Sequence, residues 1–555
     1  MKKNFLRIVS AILCVALLVS GVSVGSFAVN EQRIPSSQES SAGDSIMKGL
    51  YNALNVVVEG LVKSICAIYV NPKDWQSLDQ YNSEEIGFMP GRENYQASAG
   101  ENNVWKLGYS KKSIVPEDID SGKYNIGRDL LNKFAQGVYD DQCIRVAVID
   151  DNSGEGAVVL GAIDSLGVTS TDIRTIRKAV LEYCEAQKIK VASINISATH
   201  AHSALDTQGV STEFFRKLFG SFWCNLIGYE GTMAGLETAE KFKQHFINVS
   251  VEAIKEAFGN IEEGKLYFSS IDMSEYFKDK RGLISKEDLP ETASFKFVPS
   301  SGNPSTYISD ITCHATSFSA SNNLVGSDYI YYADEYIRNT DGGNFIMVPG
   351  AVGQVSRDIE TDTAGMSEYE EKGASARTLG KLVGEKIINA DYSTELSPVI
   401  NVKHRELFIV PENSILTLAC EIGLVNNKIF YDGTLIKEYC MATEMGYLEF
   451  GNKIALALFP GELYPEVFWD DEITGGANWD GSEWAYDNLS TAVDGVTTYA
   501  VSLTNDAIGY VLTDNNFAFM GHIIGDGIAD ETLSVGKHIG SYLVSEYLAL
   551  IDSLK

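Results

Sequence analysis

Residues 191–203 read VASINISATHAHS and decide how this chain is interpreted. The apolar run 191–196 is typical of a buried strand within a sheet. Two of the chain's seven histidines, His200 and His202, follow that run two residues apart. Because side chains at positions i and i+2 of an extended backbone point the same way, both imidazoles are expected to project together beyond the strand. Such a pair can begin a zinc site or form a structural pair in a polar loop, and the spacing alone leaves both open.

Strand-like and helix-like segments alternate along the chain from Trp105 onward. Short apolar runs predict strands, and apolar residues at helical spacing predict helices. The predicted strands are 145–149, 158–163, 191–196, 265–270, 306–313, 344–348, 399–409 and 453–459, and the predicted helices are 172–188, 237–258, 328–338, 374–389 and 534–552. This order favours a layered α/β/α-type catalytic domain with mixed sheets and flanking helices over an all-β fold. Residues 104–555 contain no internal repeat and no linker-like segment, and they are predicted to form one domain.

Polar side chains follow three further apolar strands. The segment YISDITCH ends at His314, IALALFPGE ends at Glu462, and FIMVPGAVGQVS ends at Ser356. In α/β folds the ends of strands carry ligands and catalytic groups, so several such segments together indicate a site. Three other histidines lack ligand-type neighbours and are predicted to be solvated: His245, His404 and His538.

The charge balance excludes one class of partner. The 555 residues include 75 acidic and 44 basic side chains, which gives a formal net charge of −31. A field of that sign repels phosphate backbones, so nucleic-acid binding is not expected.

The N-terminus is predicted to be a targeting segment. Residues 1–28 combine a basic start, an apolar stretch and small residues before a cleavage point, which is typical of a signal peptide. The protein is therefore expected to be secreted or to lie at the cell surface. Residues 29–103 are predicted to be a linker and an amphipathic helix at 46–69, in which Glu59 and Lys63 argue against a membrane span.

The strand-end segments, taken in chain order, resemble a known family. The heptapeptide SATHAHS resembles the S-[AG]-T-H-T-H-S-G signature of neutral/alkaline, non-lysosomal ceramidases, which are zinc amidases that split the N-acyl bond of ceramide. Later blocks of that family have counterparts here in the same order: CHATS at 313–317, GQVSRD at 353–358, FPGE at 459–462 and TNDAIGYV at 504–511. The resemblance runs from about residue 104 to the C-terminus.

The resemblance implies a zinc site and a role for each matching residue. Four residues would bind the metal: His200, His314, Glu462 and Tyr510. His202 would lie beside the metal as a proton shuttle or substrate contact. Ser356 matches the serine that the family uses in catalysis, either as nucleophile or as a group that binds the scissile amide. Two imidazoles and a carboxylate suit catalytic zinc, since they leave a position for water.

Departures from the family pattern change the surroundings of these residues. The glycine-rich turn after the histidine pair is replaced by Ala204, Leu205 and Asp206, and the serine is followed by Arg357. The family's substrate-contacting arginine aligns with Met273, although Lys280 or Arg281 could take its place.

The sequence therefore predicts a secreted zinc-dependent hydrolase that cleaves the N-acyl amide bond of ceramide or a related lipid amide. A lipid substrate would bring the protein into peripheral contact with membrane lipid. Two alternatives remain open, namely a catalytically silent surface protein that uses the same fold for binding, and a zinc amidase that acts on a non-sphingolipid substrate.

Overall fold

The computed structural model describes most of the chain downstream of the N-terminal region. The described residues are 60, 76–77, 81–82, 87–120, 122–127, 134–209, 233–281, 284–318, 322–413, 416, 429–431, 439–469, 483–517 and 530–554. The predicted signal peptide lies outside them, as does the predicted helix at 46–69 apart from Gly60. The domain boundary at residue 104 stays a prediction. Arg92, which precedes that boundary, forms an ion pair with Asp151 of the predicted domain at 2.7 Å.

Seven α-helices lie within the described residues. They are α1 Ser170–Gln187, α2 Met233–Gly259, α3 Tyr329–Asp341, α4 Glu368–Lys372, α5 Ala374–Ile388, α6 Pro465–Trp469 and α7 Ile539–Asp552. Local sequence explains several helix ends: the Thr169 hydroxyl accepts a hydrogen bond from the Asp172 amide at the start of α1, and Gly342 ends α3 in the left-handed conformation. Among the described helices, none is both long enough and apolar enough to cross a bilayer.

The strands form two large sheets and two small ones. They are β1 Gln76–Ser77, β2 Trp105–Ser113, β3 Cys143–Asp150, β4 Ala157–Ile163, β5 Val191–Ala198, β6 Glu262–Ile271, β7 Phe277–Asp279, β8 Thr292–Pro299, β9 Thr306–Ile311, β10 Asn344–Pro349, β11 Val355–Arg357, β12 Thr394–Glu395, β13 Ile400–Ile409, β14 Ile429–Tyr431, β15 Tyr439–Phe450, β16 Ile454–Leu458, β17 Glu462–Leu463, β18 Thr497–Val501 and β19 Tyr510–Val511. Each strand predicted from the sequence is present, and β2, β8 and β15 are among those added by the structure.

Both large sheets mix parallel and antiparallel pairs. The nine-stranded sheet has the order β10-β9-β8-β6-β2-β3-β4-β5, with β12 paired to β6. The six-stranded sheet has the order β1-β14-β15-β16-β18, with β13 paired to β15. The pairs β4/β5, β9/β10 and β16/β18 are parallel. The small sheets are the antiparallel pair β11/β7 and the parallel pair β17/β19.

The two large sheets stack face to face between layers of helices. Strand β3 is buried on both faces, since Ile144 and Val146 pack with α1 and α2 while Ile149 packs with residues of the six-stranded sheet. Helix α7 packs against the far face of that second sheet. Alternate residues of one strand can serve two cores because strand side chains point to opposite faces in turn. The structure confirms the layered α/β class with mixed sheets and flanking helices.

A short connector, residues 502–505, is hydrogen-bonded to the carboxyl-terminal ends of strands from both large sheets. The Asn505 amide donates to the Ile196 carbonyl of β5 at 2.9 Å, and the Ser502 amide donates to the Pro349 carbonyl of β10 at 2.8 Å. The Thr504 amide donates to the Phe459 carbonyl just beyond β16, also at 2.9 Å. The chain segments that leave β5, β10 and β16 are therefore fixed next to one another.

Candidate metal centre

Three histidines from two distant segments of the chain meet beyond the ends of β5 and β9. His200 and His202 follow β5, and His314 follows β9. Each offers one ring nitrogen, and these nitrogens all lie within 4.8 Å of one another. The His202 amide donates to the Ala315 carbonyl at 3.1 Å, which ties the two histidine-bearing loops together.

The backbone around His200 is held in an uncommon conformation. Its φ is +62°, a left-handed value that costs a non-glycine residue free energy unless its surroundings enforce it. The amides of Thr199 and Ala201 donate to the carbonyls of Ile163 and Ser165, at 2.9 and 3.0 Å. Both flanks of His200 are thus fixed to the chain leaving β4, and this turns the imidazole toward the other histidines.

Two backbone carbonyls set which nitrogen of each buried imidazole faces the cluster. His200 Nδ1 lies 2.8 Å from the Leu166 carbonyl oxygen, and His314 Nδ1 lies 2.6 Å from the Val352 carbonyl oxygen. A carbonyl oxygen only accepts, so each Nδ1 carries the proton in its neutral ring and each Nε2 presents a lone pair. Metal-binding histidines are held in the same way, by an acceptor on the nitrogen that does not bind the metal.

Sequence reasoning missed these two carbonyls, because backbone atoms leave no side-chain signature. The glycines around Val352 were the available signal. A Cβ atom on Gly350 would lie 2.3 Å from Thr312 Oγ1, and one on Gly353 would lie 2.4 Å from Tyr464 Cδ2. Only glycine lets this loop pass close enough to place the Val352 carbonyl against His314.

Glu462 begins the short strand β17, four residues after β16 of the six-stranded sheet ends, and faces both buried imidazoles. Its Oε2 lies 3.0 Å from His200 Nε2 and 3.5 Å from His314 Nε2. Burial by itself raises the pKa of Glu462, whereas positive charge on the adjacent His200 and His314 rings holds that pKa well below its usual range. The carboxylate is therefore ionised whenever positive charge, either a proton on a ring or a bound cation, lies beside it.

Tyr510 is placed beside Glu462 by the small parallel sheet, in which the two residues are paired in register. Its ring is nearly parallel to that of His314, with the centroids 6.4 Å apart. Burial raises the pKa of Tyr510 well above its usual value, and the Glu462 charge and hydrogen bond raise it further. The neutral phenol thus donates to the carboxylate at the edge of the cluster.

The donor atoms of this cluster fit a cation. His314 Nε2 and Glu462 Oε2 are both buried without a hydrogen-bond partner. A proton on His314 does not resolve this, since burial and the nearby Lys280 charge lower the pKa of His314 to about 4. Buried acceptors that face one another are costly unless something positive lies between them. Two imidazoles and a carboxylate are a ligand set typical of zinc.

His202 lies directly beside the buried His200. Its Nε2 is 3.1 Å from His200 Nε2, and the side chain is half-buried. The geometry therefore admits two donor sets that share His200 and His314, one completed by His202 and the other by Glu462 with Tyr510. The assignment of His202 as a non-ligand stays a prediction.

Ser356 lies in the short strand β11, next to the His314 segment. The His314 amide donates to the carbonyl of Val355 at 2.9 Å, so the serine and the imidazole are held by adjacent backbone. Ser356 is buried and is paired with Lys278 of β7. Its catalytic role stays a prediction.

His404 corrects one sequence prediction. It was expected to be solvated, but it is 6% exposed and its Nε2 lies 2.8 Å from Ser193 Oγ in the interior between the sheets. His538 is exposed and paired with Glu412, while His245 is half-buried.

No protein-family model matches this chain, and no curated protein matches its sequence. Among solved structures, seven chains match. One is a neutral ceramidase from Pseudomonas aeruginosa, with a TM-score of 0.58 and 14% identity over 82% of this chain and 74% of that one. Another is a ceramidase complexed with C2, with a TM-score of 0.56 and 14% identity over 82% and 75% of the two chains. The chain has a ceramidase-like fold.

Proposed function

We propose that this chain is a secreted zinc-dependent hydrolase that cleaves the N-acyl amide bond of ceramide or a related lipid amide. The likeness of its fold to two ceramidase structures supports a hydrolase. The observation that carries the proposal is local: two buried imidazoles present Nε2 lone pairs to the carboxylate of Glu462.

His200, His314 and Glu462 would hold the metal, with Tyr510 beside them. Zinc bound there supplies Lewis acidity toward the acyl carbonyl and a nucleophile at neutral pH. The chain's own contribution is a rigid donor set, because the imidazoles are locked by the carbonyls of Leu166 and Val352 before any ligand arrives.

His202 is proposed to protonate the leaving amine. An amide nitrogen leaves readily only after it has been protonated, and a positioned histidine contributes a factor of about 10² to 10⁴ in rate. The half-buried ring of His202 adjoins His200 and retains contact with solvent. It can therefore take a proton from solvent and deliver it beside the cluster.

Ser356 is proposed to contact the scissile amide, either as nucleophile or as a group that orients it. The short pair β11/β7 and the bond from the His314 amide to Val355 fix its position relative to the imidazoles. Secretion and peripheral contact with membrane lipid belong to the same proposal, and N-terminal sequencing of the exported protein tests the first of these.

The test combines metal analysis with amide hydrolysis. We expect about one zinc per purified chain, as for other catalytic zinc sites, and release of fatty acid from fluorescent N-acyl amides that include ceramide. His314→Ala should lose both the metal and the activity, whereas the exposed His538→Ala serves as the matched control and should keep both. A chain that binds no zinc, or that hydrolyses none of the amides, overturns the proposal and favours a silent binding protein.

A further inference from the structure

Several apolar side chains lie exposed on one small surface near the candidate centre. Val138 is 37% exposed and Tyr369 is 52% exposed, and Met366 is exposed as well. The half-buried ring of Tyr139 joins them, because it stacks on the Tyr369 ring with the centroids 4.7 Å apart. These four residues are called the apolar rim below. Neighbouring apolar side chains that remain in water on a folded protein indicate a binding surface.

The apolar rim is held in place by contacts within the protein. The buried Phe318 ring packs edge-on against Tyr139, with the centroids 5.1 Å apart. Arg377, in the first turn of α5, lies over the Tyr139 ring and donates to its hydroxyl. The same guanidinium donates to the Glu370 carbonyl at 2.6 Å and lies 3.9 Å from Met366 Sδ. Side chains fixed in this way lose little conformational freedom when they bind.

Backbone hydrogen bonds join the apolar rim to the loop that carries His202. The Tyr139 amide donates to the Val325 carbonyl at 2.7 Å, and the Gly326 amide donates to the Ser203 carbonyl at 3.0 Å. Ser203 directly follows His202. Hydrogen-bonded extended segments lie about 4.8 Å apart, so two such steps place the rim roughly 10 Å from the histidine loop.

The charges beside the apolar rim narrow the class of partner. Helix α4, which contains Tyr369, also carries the exposed carboxylates of Glu368, Glu370 and Glu371, and the whole chain has a formal net charge of −31. Such a surface repels anionic lipid and nucleic acid. A second copy of this chain that bound through the same surface would bring two acidic helices together.

A zwitterionic lipid surface meets neither of these penalties. It offers apolar chains below headgroups that carry no net charge. Tyrosine suits the boundary between the two layers, because its ring is apolar and its hydroxyl is polar. The apolar rim presents two tyrosines together with a valine and a methionine.

We propose that the apolar rim is the surface by which this chain binds a zwitterionic lipid layer, from which the candidate centre takes its lipid amide. The inference rests on the proposed function, because that function supplies a substrate whose acyl chains lie in such a layer. Binding through the rim brings the histidine loop to the lipid surface. The substrate then reaches the centre without crossing water as a free molecule.

Flotation with phosphatidylcholine vesicles tests this binding without any turnover. We expect the full chain to float with these vesicles and to bind phosphatidylserine vesicles less well. Val138→Ser combined with Tyr369→Ser should weaken binding to phosphatidylcholine about tenfold, the factor expected when two partly exposed apolar side chains no longer become buried. Tyr369→Trp should retain the binding.

Val298→Ser is the matched control. Val298 is also 37% exposed, but it lies at the opposite end of the nine-stranded sheet. It precedes the turn that leads to the start of β9, whereas His314 follows the end of β9. Its replacement should leave vesicle binding unchanged.

Vesicle binding and amide hydrolysis can fail separately, so the two proposals are distinguishable. The apolar rim is refuted as a lipid-binding surface if wild type does not bind phosphatidylcholine or prefers phosphatidylserine. It is also refuted if the double variant binds as tightly as wild type, or if that variant instead converts a dimer to a monomer. If ceramide is hydrolysed, the double variant should raise KM about tenfold for ceramide in phosphatidylcholine vesicles. Its kcat/KM for the N-acetyl analogue in solution should stay unchanged, and an equal loss on both substrates would contradict the inference.

Discussion

Replacing Glu462 by glutamine should stabilise the metal-free protein while weakening its hold on zinc. In the native site Glu462 Oε2 faces two imidazole nitrogens, at 3.0 and 3.5 Å, and all three atoms are acceptors. Glutamine has the same shape but places an NH₂ group at this point. One of its hydrogens can donate to His314 Nε2, which has no hydrogen-bond partner, whereas the lone pair of His200 Nε2 already faces His202 Nε2 at 3.1 Å.

The size of the effect follows from those contacts. One new hydrogen bond, to His314 Nε2, should raise the free energy of unfolding of the metal-free protein by about 0.5–1.5 kcal/mol. Loss of the charged ligand should weaken zinc binding by at least about 100-fold, since even removing an outer partner of a ligand costs 10- to 100-fold. At saturating zinc, that factor removes about 2.7 kcal/mol of stabilisation.

Urea unfolding of chelator-treated and zinc-loaded protein measures both changes. The control is Glu466→Gln, which removes a buried charge four residues away whose Oε2 accepts from Gln354 rather than facing an imidazole. If the site were a metal-free imidazolium–carboxylate ion pair, Glu462→Gln would instead destabilise the protein by about 3–5 kcal/mol. Destabilisation of the metal-free form would therefore refute the reasoning.

Two further predictions concern histidines. His202→Gln should keep about one zinc per chain and lower kcat about 100-fold or more, as expected for loss of a general acid; loss of zinc from this variant would instead make His202 a ligand. For buried His404, burial lowers the pKa to about 4 in the folded protein from a usual value of 6.5. The unfolded chain thus takes up this proton first, and stability is fully present above pH 6.5 and is lost as the pH falls toward 4. Urea unfolding of wild type should therefore show about 3 kcal/mol more loss between pH 7 and pH 4 than His404→Gln, and equal losses would contradict this assignment.

Physical reasoning from the sequence singled out segments that the structure brings together at the candidate centre. Apolar runs that end in His200, His314 or Glu462 were informative because the chain leaving a strand in an α/β fold tends to reach the functional edge of the sheet. Which of those edges would meet was not derivable from periodicity, since it depends on how two sheets stack. The resemblance to a family supplied the expectation that the three residues converge, and the structure brings an Nε2 atom of each imidazole to within 3.5 Å of Glu462 Oε2.

Other features left too little signal in the sequence. His404 lies between Lys403 and Arg405, a polar context that suggested solvent, although alternate residues of β13 face the interior. The Leu166 and Val352 carbonyls, which orient the imidazoles, are backbone atoms that any residue could supply. The ion pair of Arg281 with Glu531, at 3.2 Å, also required coordinates, because the two residues are distant in sequence.

The origin of the donor atoms has a mechanical consequence. His200 and His314 belong to the nine-stranded sheet, whereas Glu462 belongs to the segment that leaves the six-stranded one. A divalent ion bound by all three residues would link the two large sheets, in addition to the connector at 502–505. The association of the two sheets and the catalytic activity would then depend on the same ion. Removing the ion would weaken the contact between the sheets, and that contact positions the donor atoms.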